Sequence, residues 1–183
     1  MESSVTRSLG DAWIQTFTGR QFWPLEPLAD DVCIEDIAHA LSLKCRFAGH
    51  TTEFYSVAQH SVLASRACDE APLWALLHDA SEAYLPDVCR PIKKHLRGFK
   101  SLENQVMAAI AERFALTLPM PESIHDIDLV MLATEQRDLL CSPPAVWGST
   151  KGVRMLDRII PWSPAVAERE FWAEFNKLYK GAV

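Results

Sequence analysis

The stretch Leu76-Leu77-His78-Asp79-Ala80-Ser81-Glu82 decides how this chain is read. Around it, Leu73, Leu76, Leu77, Ala80 and Tyr84 recur at i, i+3, i+4, i+7 and i+11, the apolar stripe of a buried helix face. Pro72 suits the first turn of that helix and Pro86 ends it. His78, Asp79 and Glu82 lie beside the stripe, and His78 and Glu82 are one turn apart, so both can reach one cavity. Two ionisable neighbours in such apolar surroundings are costly unless something pairs with them. A divalent metal ion is a natural partner, because it takes a neutral imidazole and a carboxylate together. His60 on the preceding helix and Asp128 on a later one complete a His-His-Asp-Asp set.

Working outward, Ser56 can cap a helix running to about Ala67, with Val57, Ser61 and Ala64 along one face. Ile34, Ile37, Ala38 and Leu41 predict a helix over 34–43. Ser101 opens another, with Leu102, Val106, Ala109, Ile110 and Phe114 inward. A further helix over 126–140 places Asp128, Leu132 and Glu135 on a common face. Ser163-Pro164 starts a terminal helix that turns Ala167, Phe171, Phe175 and Leu178 inward. Before them all, apolar residues flanking Thr18-Gly19 suggest a short hairpin within 13–23, after a loose leader over 1–12. Residues 46–50 read as a loop and 141–162, with its prolines and glycines, as a long ordered loop or lid. The expected architecture is all-α: one helical-bundle domain over 1–183, with six or seven helices and a small N-terminal hairpin.

Apolar residues make up 49% of the 183 positions and charged residues 23%, enough for one well-filled core. A net charge of −6 argues against a nucleic-acid polymer as partner, yet leaves room for a small anionic substrate held by a few cations. The five cysteines form no Cys-x-x-Cys, and no signal peptide is evident, which points to free thiols in a reducing cytoplasm. No apolar run approaches a membrane span.

Asp126 and Asp138 rival Asp128 as the last ligand; the first reads as a cap and the second lies near its helix exit. Glu82 and Asp87 are close enough in sequence to His78-Asp79 to suit acid–base work. Arg46 and Lys93, taken alone, read as surface charges. His39 reads as a core histidine, His95 and His125 as exposed, and His50 as touching substrate or closing a loop.

Arg46, His60, His78-Asp79-Ala80-Ser81-Glu82, Asp87, Pro91, Lys93 and Asp128 together resemble the HD-domain phosphohydrolases, over roughly residues 46–140. The likeness is to the bacterial 5′-deoxynucleotidases and the phage dATP triphosphohydrolases. Thr16–Arg20 and Phe22-Trp23-Pro24-Leu25 are similar to the phage-associated branch. The resemblance implies that His60, His78, Asp79 and Asp128 hold one divalent ion, of Mn, Co, Zn, Ni or Fe. It implies that Glu82 positions or activates the attacking water and that Asp87 protonates the leaving nucleoside oxygen. Arg46 and Lys93 would hold phosphate oxygens, and Phe47, where monophosphatases carry tryptophan, would stack on sugar or base. It also implies a dimer or a larger ring.

The function expected is metal-dependent hydrolysis of the 5′ phosphoester of a (deoxy)nucleoside phosphate, releasing nucleoside plus phosphate or triphosphate. A signalling-nucleotide hydrolase would keep the metal site and change the pocket; an alarmone would give pyrophosphate and a cyclic nucleotide a monophosphate. An inactive nucleotide-binding module would have no use for Glu82 and Asp87.

Overall fold

Helical spacing of apolar residues runs through most of the chain, and the computed structural model describes its outcome for residue 8 and residues 10–181. Strands β1 (Ile14–Gln15) and β2 (Gln21–Phe22) pair antiparallel with Ile14 opposite Phe22, so the hairpin forms around Thr18-Gly19 as expected. Helices α1 (Ile34–Leu43), α2 (Val57–Ala67), α3 (Pro72–Leu77), α4 (Arg90–Lys93), α5 (Phe99–Arg113), α6 (Glu122–Leu139) and α7 (Pro164–Leu178) follow. The fold is all-α with a small N-terminal hairpin. Most of the leader expected over 1–12 lies outside the described residues.

Two helix starts are fixed by serine caps. Ser56 Oγ accepts from Gln59 N at 3.1 Å and Ser163 Oγ from Val166 N at 3.4 Å. Such a cap satisfies one of the amide groups that the first turn leaves without a helical partner. Other boundaries differ from the sequence reading. The helix expected from Pro72 to Pro86 stops at Leu77, Asp79 takes φ −99° and ψ 11°, and Ala80–Ala83 form a 3-10 turn. Ala80 and Tyr84 nevertheless stay buried, Tyr84 with its hydroxyl on the Cys33 backbone and its ring stacked on Phe22. Helix α6 begins at Glu122, directly after Pro121, so Asp126 sits inside it and is not its cap. Residues 90–93 form the short α4 with Pro91 in its first turn. Helix α5 starts at Phe99 rather than Ser101, behind Gly98 in the left-handed conformation.

The helices pack around α2. One buried cluster, including Ile37, Leu41, Val62, Leu76, Ile110 and Phe171, joins α1, α2, α3, α5 and α7. A second, including Ala64, Trp74, Ile124 and Met131, joins α2 and α3 to α6. Burying a side chain such as Phe171 stabilises the fold by roughly 2–3 kcal/mol. The hairpin is fastened from outside: Phe22 stacks on Tyr84 at 3.8 Å, and buried Asp36 accepts from Thr18 N at 2.7 Å and Thr18 Oγ1 at 3.0 Å.

Residues 141–162 are an ordered strap with one 3-10 turn at Gly148–Thr150. Leu156 N donates to Thr134 Oγ1 at 3.0 Å and Ile159 N to Asp138 Oδ2 at 2.8 Å. Gln59, one residue before His60, receives Trp162 N at 2.8 Å and donates to Ile160 O at 2.8 Å. Among the described residues, no helix is long and apolar enough to cross a membrane.

Candidate metal centre

The three helical segments that meet at α2 bring the four sequence-predicted ligands together. His60 is fully buried in α2, and its Nε2 lies 3.2 Å from His78 Nε2 at the end of α3. Asp79 Oδ2 is 3.3 Å from His78 Nε2 and 3.6 Å from His60 Nε2. Asp128 Oδ1, from α6, is 3.6 Å from His60 Nε2. One ligand atom each from His60, His78 and Asp128 fits within a 4.8 Å span, a group able to hold a metal ion. His78 and Asp79 can serve one centre because the chain leaves the α-helix between them; Asp79 has the bridge-region backbone common at functional sites. Asp138, the rival ligand, is occupied by Ile159 N and Arg137.

Proton bookkeeping shows why a cation fits. His78 Nδ1 faces Ala75 O at 2.7 Å, and a carbonyl can only accept, so Nδ1 carries the proton. His60 Nδ1 lies 2.6 Å from Glu135 Oε1, again an acceptor. With Nδ1 of each ring on an acceptor, the Nε2 atoms point toward each other and toward the Asp79 and Asp128 carboxylates. His60, His78 and Asp128 each aim one ligand atom into a common space, and Asp79 Oδ2 lies within 3.6 Å of both histidines. A divalent ion is the species such a donor set suits, and two imidazoles with two carboxylates match Mn²⁺, Fe²⁺, Co²⁺, Ni²⁺ or Zn²⁺ chemistry.

Glu135 is the main residue that the sequence reading left unassigned. It is fully buried, holds His60 Nδ1 through Oε1, and accepts from Arg46 Nη2 through Oε2 at 2.9 Å. Burial opposes its charge, but Arg46 and His60 outweigh burial and bring its pKa down to about 2. Arg46 is no surface charge: its side chain is 15% exposed and reaches Glu135 and, at 3.3 Å through Nη1, Asp79. Burial works against that guanidinium too, yet Glu135, Asp79 and Asp128 together raise its pKa. Asp79 is likewise opposed by burial and brought to about 2 by His78, His60, Arg46 and Lys93. Phe47, next in the chain, is half-buried under the Arg46 guanidinium at 5.4 Å, with a left-handed backbone at φ 55°.

Glu82 stands on the 3-10 turn just after Asp79. It is 9% exposed, and its Oε2 has no hydrogen-bond partner among the described residues. Burial first, then Asp79 and Asp87, pushes its pKa up to about 8. Lys44 fixes this turn from α1's end, donating through Nζ to the carbonyls of Glu82 and Leu85. Asp87 is exposed beyond Pro86, within electrostatic reach of Glu82 and Lys44. Lys93 donates to Glu103 at 2.6 Å, and exposed Arg90 on α4 pairs with Asp128. Arg90 and Lys44 were also missed; no periodic pattern marks either, since their partners are distant in sequence. His39 is half-buried rather than core, stacked on Phe17 at 3.6 Å and facing Glu168, while His50 is exposed. A cavity of about 380 Å³ beside Phe17 and His39, and another of about 480 Å³ between Leu63, Met131 and Trp162, lie apart from the cluster.

Fold and site together define an all-α domain whose central helices carry a His-Asp cluster suited to a divalent cation. No family model matches the chain. It belongs to the family of "Uncharacterized protein YfdR" of Escherichia coli (strain K12), with which it is 41% identical over 170 residues, 91% of this chain and 96% of that protein. "Uncharacterized protein RCAP_rcc00048" of Rhodobacter capsulatus is 38% identical over 124 residues, 62% of this chain and 63% of that one.

Proposed function

We propose that the protein is an HD-domain phosphohydrolase that cleaves the 5′ phosphoester of (deoxy)nucleoside phosphates, releasing nucleoside plus phosphate or triphosphate. The observation that carries this reading is the gathering of one ligand atom each from His60, His78 and Asp128 within 4.8 Å, with Asp79 Oδ2 within 3.6 Å of both histidines. A bound divalent ion would screen the phosphate's negative charge and lower the pKa of water there. The chain's own residues supply the rest. Glu82, with an unpartnered oxygen and a pKa near the working range, suits holding a water and taking its proton. Asp87, exposed at the edge of the same turn, suits protonating the departing nucleoside oxygen. Arg46 is committed to Glu135 and Asp79, so its role becomes orienting these carboxylates, with phosphate contact left to the more exposed Lys93. Phe47 beside Arg46 offers a ring for sugar or base.

The deciding experiment incubates the Mn²⁺-loaded protein with nucleoside mono-, di- and triphosphates in ¹⁸O-labelled water and identifies both products. The expected outcome is free nucleoside, with the label in the released phosphate or triphosphate. Asp79→Ala should lose both turnover and metal by elemental analysis. Release of pyrophosphate with a nucleoside monophosphate, or full activity in Asp79→Ala, would overturn the reading.

A further inference from the structure

The Lys93 ammonium belongs to the four-residue helix α4, yet α5 holds it. Its Nζ donates to Glu103 Oε1 at 2.6 Å and lies 5.7 Å from the centre of the Phe99 ring, a cation–π contact. Burial opposes its charge, but the hydrogen bond and charge of Glu103, with Glu82 and Asp79, outweigh burial and raise its pKa. Asp79 and Glu82 thus attract Lys93, yet among the described residues Glu103 is its one hydrogen-bond partner. Two of its three N–H donors remain unspent. Glu82 Oε2 likewise stays without a partner among the described residues, although this cation is near enough to act on it. Glu103 is 8% exposed, and its own Oε2 has no hydrogen-bond partner among the described residues. A buried carboxylate with one oxygen unpaired is a poor brace between α4 and α5, because its desolvation offsets much of what the ion pair returns.

We infer that Glu103 is a positioning residue: it tethers Lys93 away from Asp79 and Glu82, so that the ammonium keeps two donors for an oxyanion at the His-Asp cluster. The inference rests on the phosphohydrolase reading and adds the residue that sets its phosphate-binding lysine. A lysine ammonium is a point charge on a flexible four-carbon stem, free to follow the nearest opposite charge. Released from Glu103, Lys93 has Glu82 and Asp79 as the remaining carboxylates that act on it. Collapse onto either would spend its donors, neutralise a group that the cluster uses and fill the space an incoming phosphate needs. A Glu103 that merely neutralised Lys93 would instead compete with phosphate, and its removal would tighten phosphate binding. The two roles therefore differ in sign.

The test combines a crystal structure of the Glu103→Leu variant with orthophosphate titrations of the Mn²⁺-loaded full chain. Leucine removes charge and acceptor while keeping apolar bulk at this buried position. In the variant, Lys93 Nζ is expected within hydrogen-bond distance of Glu82 or Asp79. Orthophosphate should bind about threefold to tenfold more weakly, the range of a partly exposed charge-assisted contact. Metal content should stay normal, since Glu103 lies outside the His60, His78 and Asp128 group. Adding Lys93→Ala to Glu103→Leu should leave binding where Lys93→Ala alone puts it, because both changes remove one contact. Glu103→Gln, milder for folding, should weaken binding in the same direction by less. An unmoved Lys93, tighter phosphate binding, or additive losses in the double variant would each overturn the inference. A moved Lys93 in a protein that neither binds orthophosphate nor hydrolyses nucleotides would support the tether and sink the phosphohydrolase reading; nucleotide hydrolysis with an unmoved Lys93 would do the reverse.

Discussion

Glu135 contributes no atom to the His60, His78 and Asp128 group, yet it faces His60 Nδ1 as an acceptor and so orients Nε2. Carboxylates that orient metal-bound histidines in this way typically matter 10–100-fold in metal affinity. Glu135→Gln is therefore expected to weaken metal binding by about that factor, read by chelator competition. Glu82 should behave in the opposite manner. Glu82→Gln leaves the His60, His78 and Asp128 group intact, so metal content stays normal while turnover falls by about 10²–10⁴-fold in steady-state kinetics. A stripped metal in Glu82→Gln would make Glu82 a ligand instead. Of these residues, Glu82 was legible in sequence because it stands one turn from His78. Glu135 was not. A glutamate inside an amphipathic helix looks solvated until Arg46, 89 positions earlier, is seen beside it.

At the scale of elements, the segment following Arg46 spends conformational energy. Phe47, Ala48 and Gly49 are consecutively left-handed, at φ 55°, 50° and 81°. For Phe47 and Ala48 that conformation costs roughly 1–2 kcal/mol each, and Gly49 makes the third step tolerable. A Cβ at Gly49 meets nothing within 4 Å, so Gly49→Ala isolates the backbone cost. It should destabilise the protein by about 1–2 kcal/mol in urea unfolding, with metal affinity as a second readout of the displaced Arg46. A loop was expected here, but its handedness was not legible, since Phe and Ala carry no left-handed preference. Helices α2 and α7 were legible because stripe and serine cap coincide there, and α1 was legible from its stripe alone, since Cys33 at its start makes no side-chain cap. The end of α3 escaped notice because Ala80 and Tyr84, beyond it, are buried like the residues of its stripe.

The whole molecule carries these buried charges as a pH signature. Glu135 and Asp79 have pKa values of about 2 in the folded protein, below their usual values of 4.5 and 3.8. The stability they contribute is present above those usual values and is lost as pH falls toward 2. Glu82 has the opposite sign: raised to about 8 from 4.5, it favours the fold below 4.5, and that contribution disappears as pH climbs to 8. Metal-free protein should therefore be most stable near pH 4–5 and lose on the order of a few kcal/mol toward either side from these groups, measured by thermal melts across pH. Added Mn²⁺ should restore the alkaline side more than the acid side, because its ligands are then already deprotonated. The all-α architecture was legible because each helix carries its own stripe. Which faces meet was legible only at His60 and His78, where ligand chemistry supplied a second constraint on neighbouring helices.

The break between His78 and Asp79 sets a condition on transplanting this centre into another scaffold. On a regular α-helix, successive side chains leave the axis about 100° apart, so a His-Asp pair would address two different neighbours. Here the pair shares one focus, with 3.3 Å between Nε2 and Oδ2. An idealised straight bundle that copied the four side chains and smoothed residues 79–81 into continuous helix would present three donors and strand the fourth. The irregular turn is itself part of what must be copied.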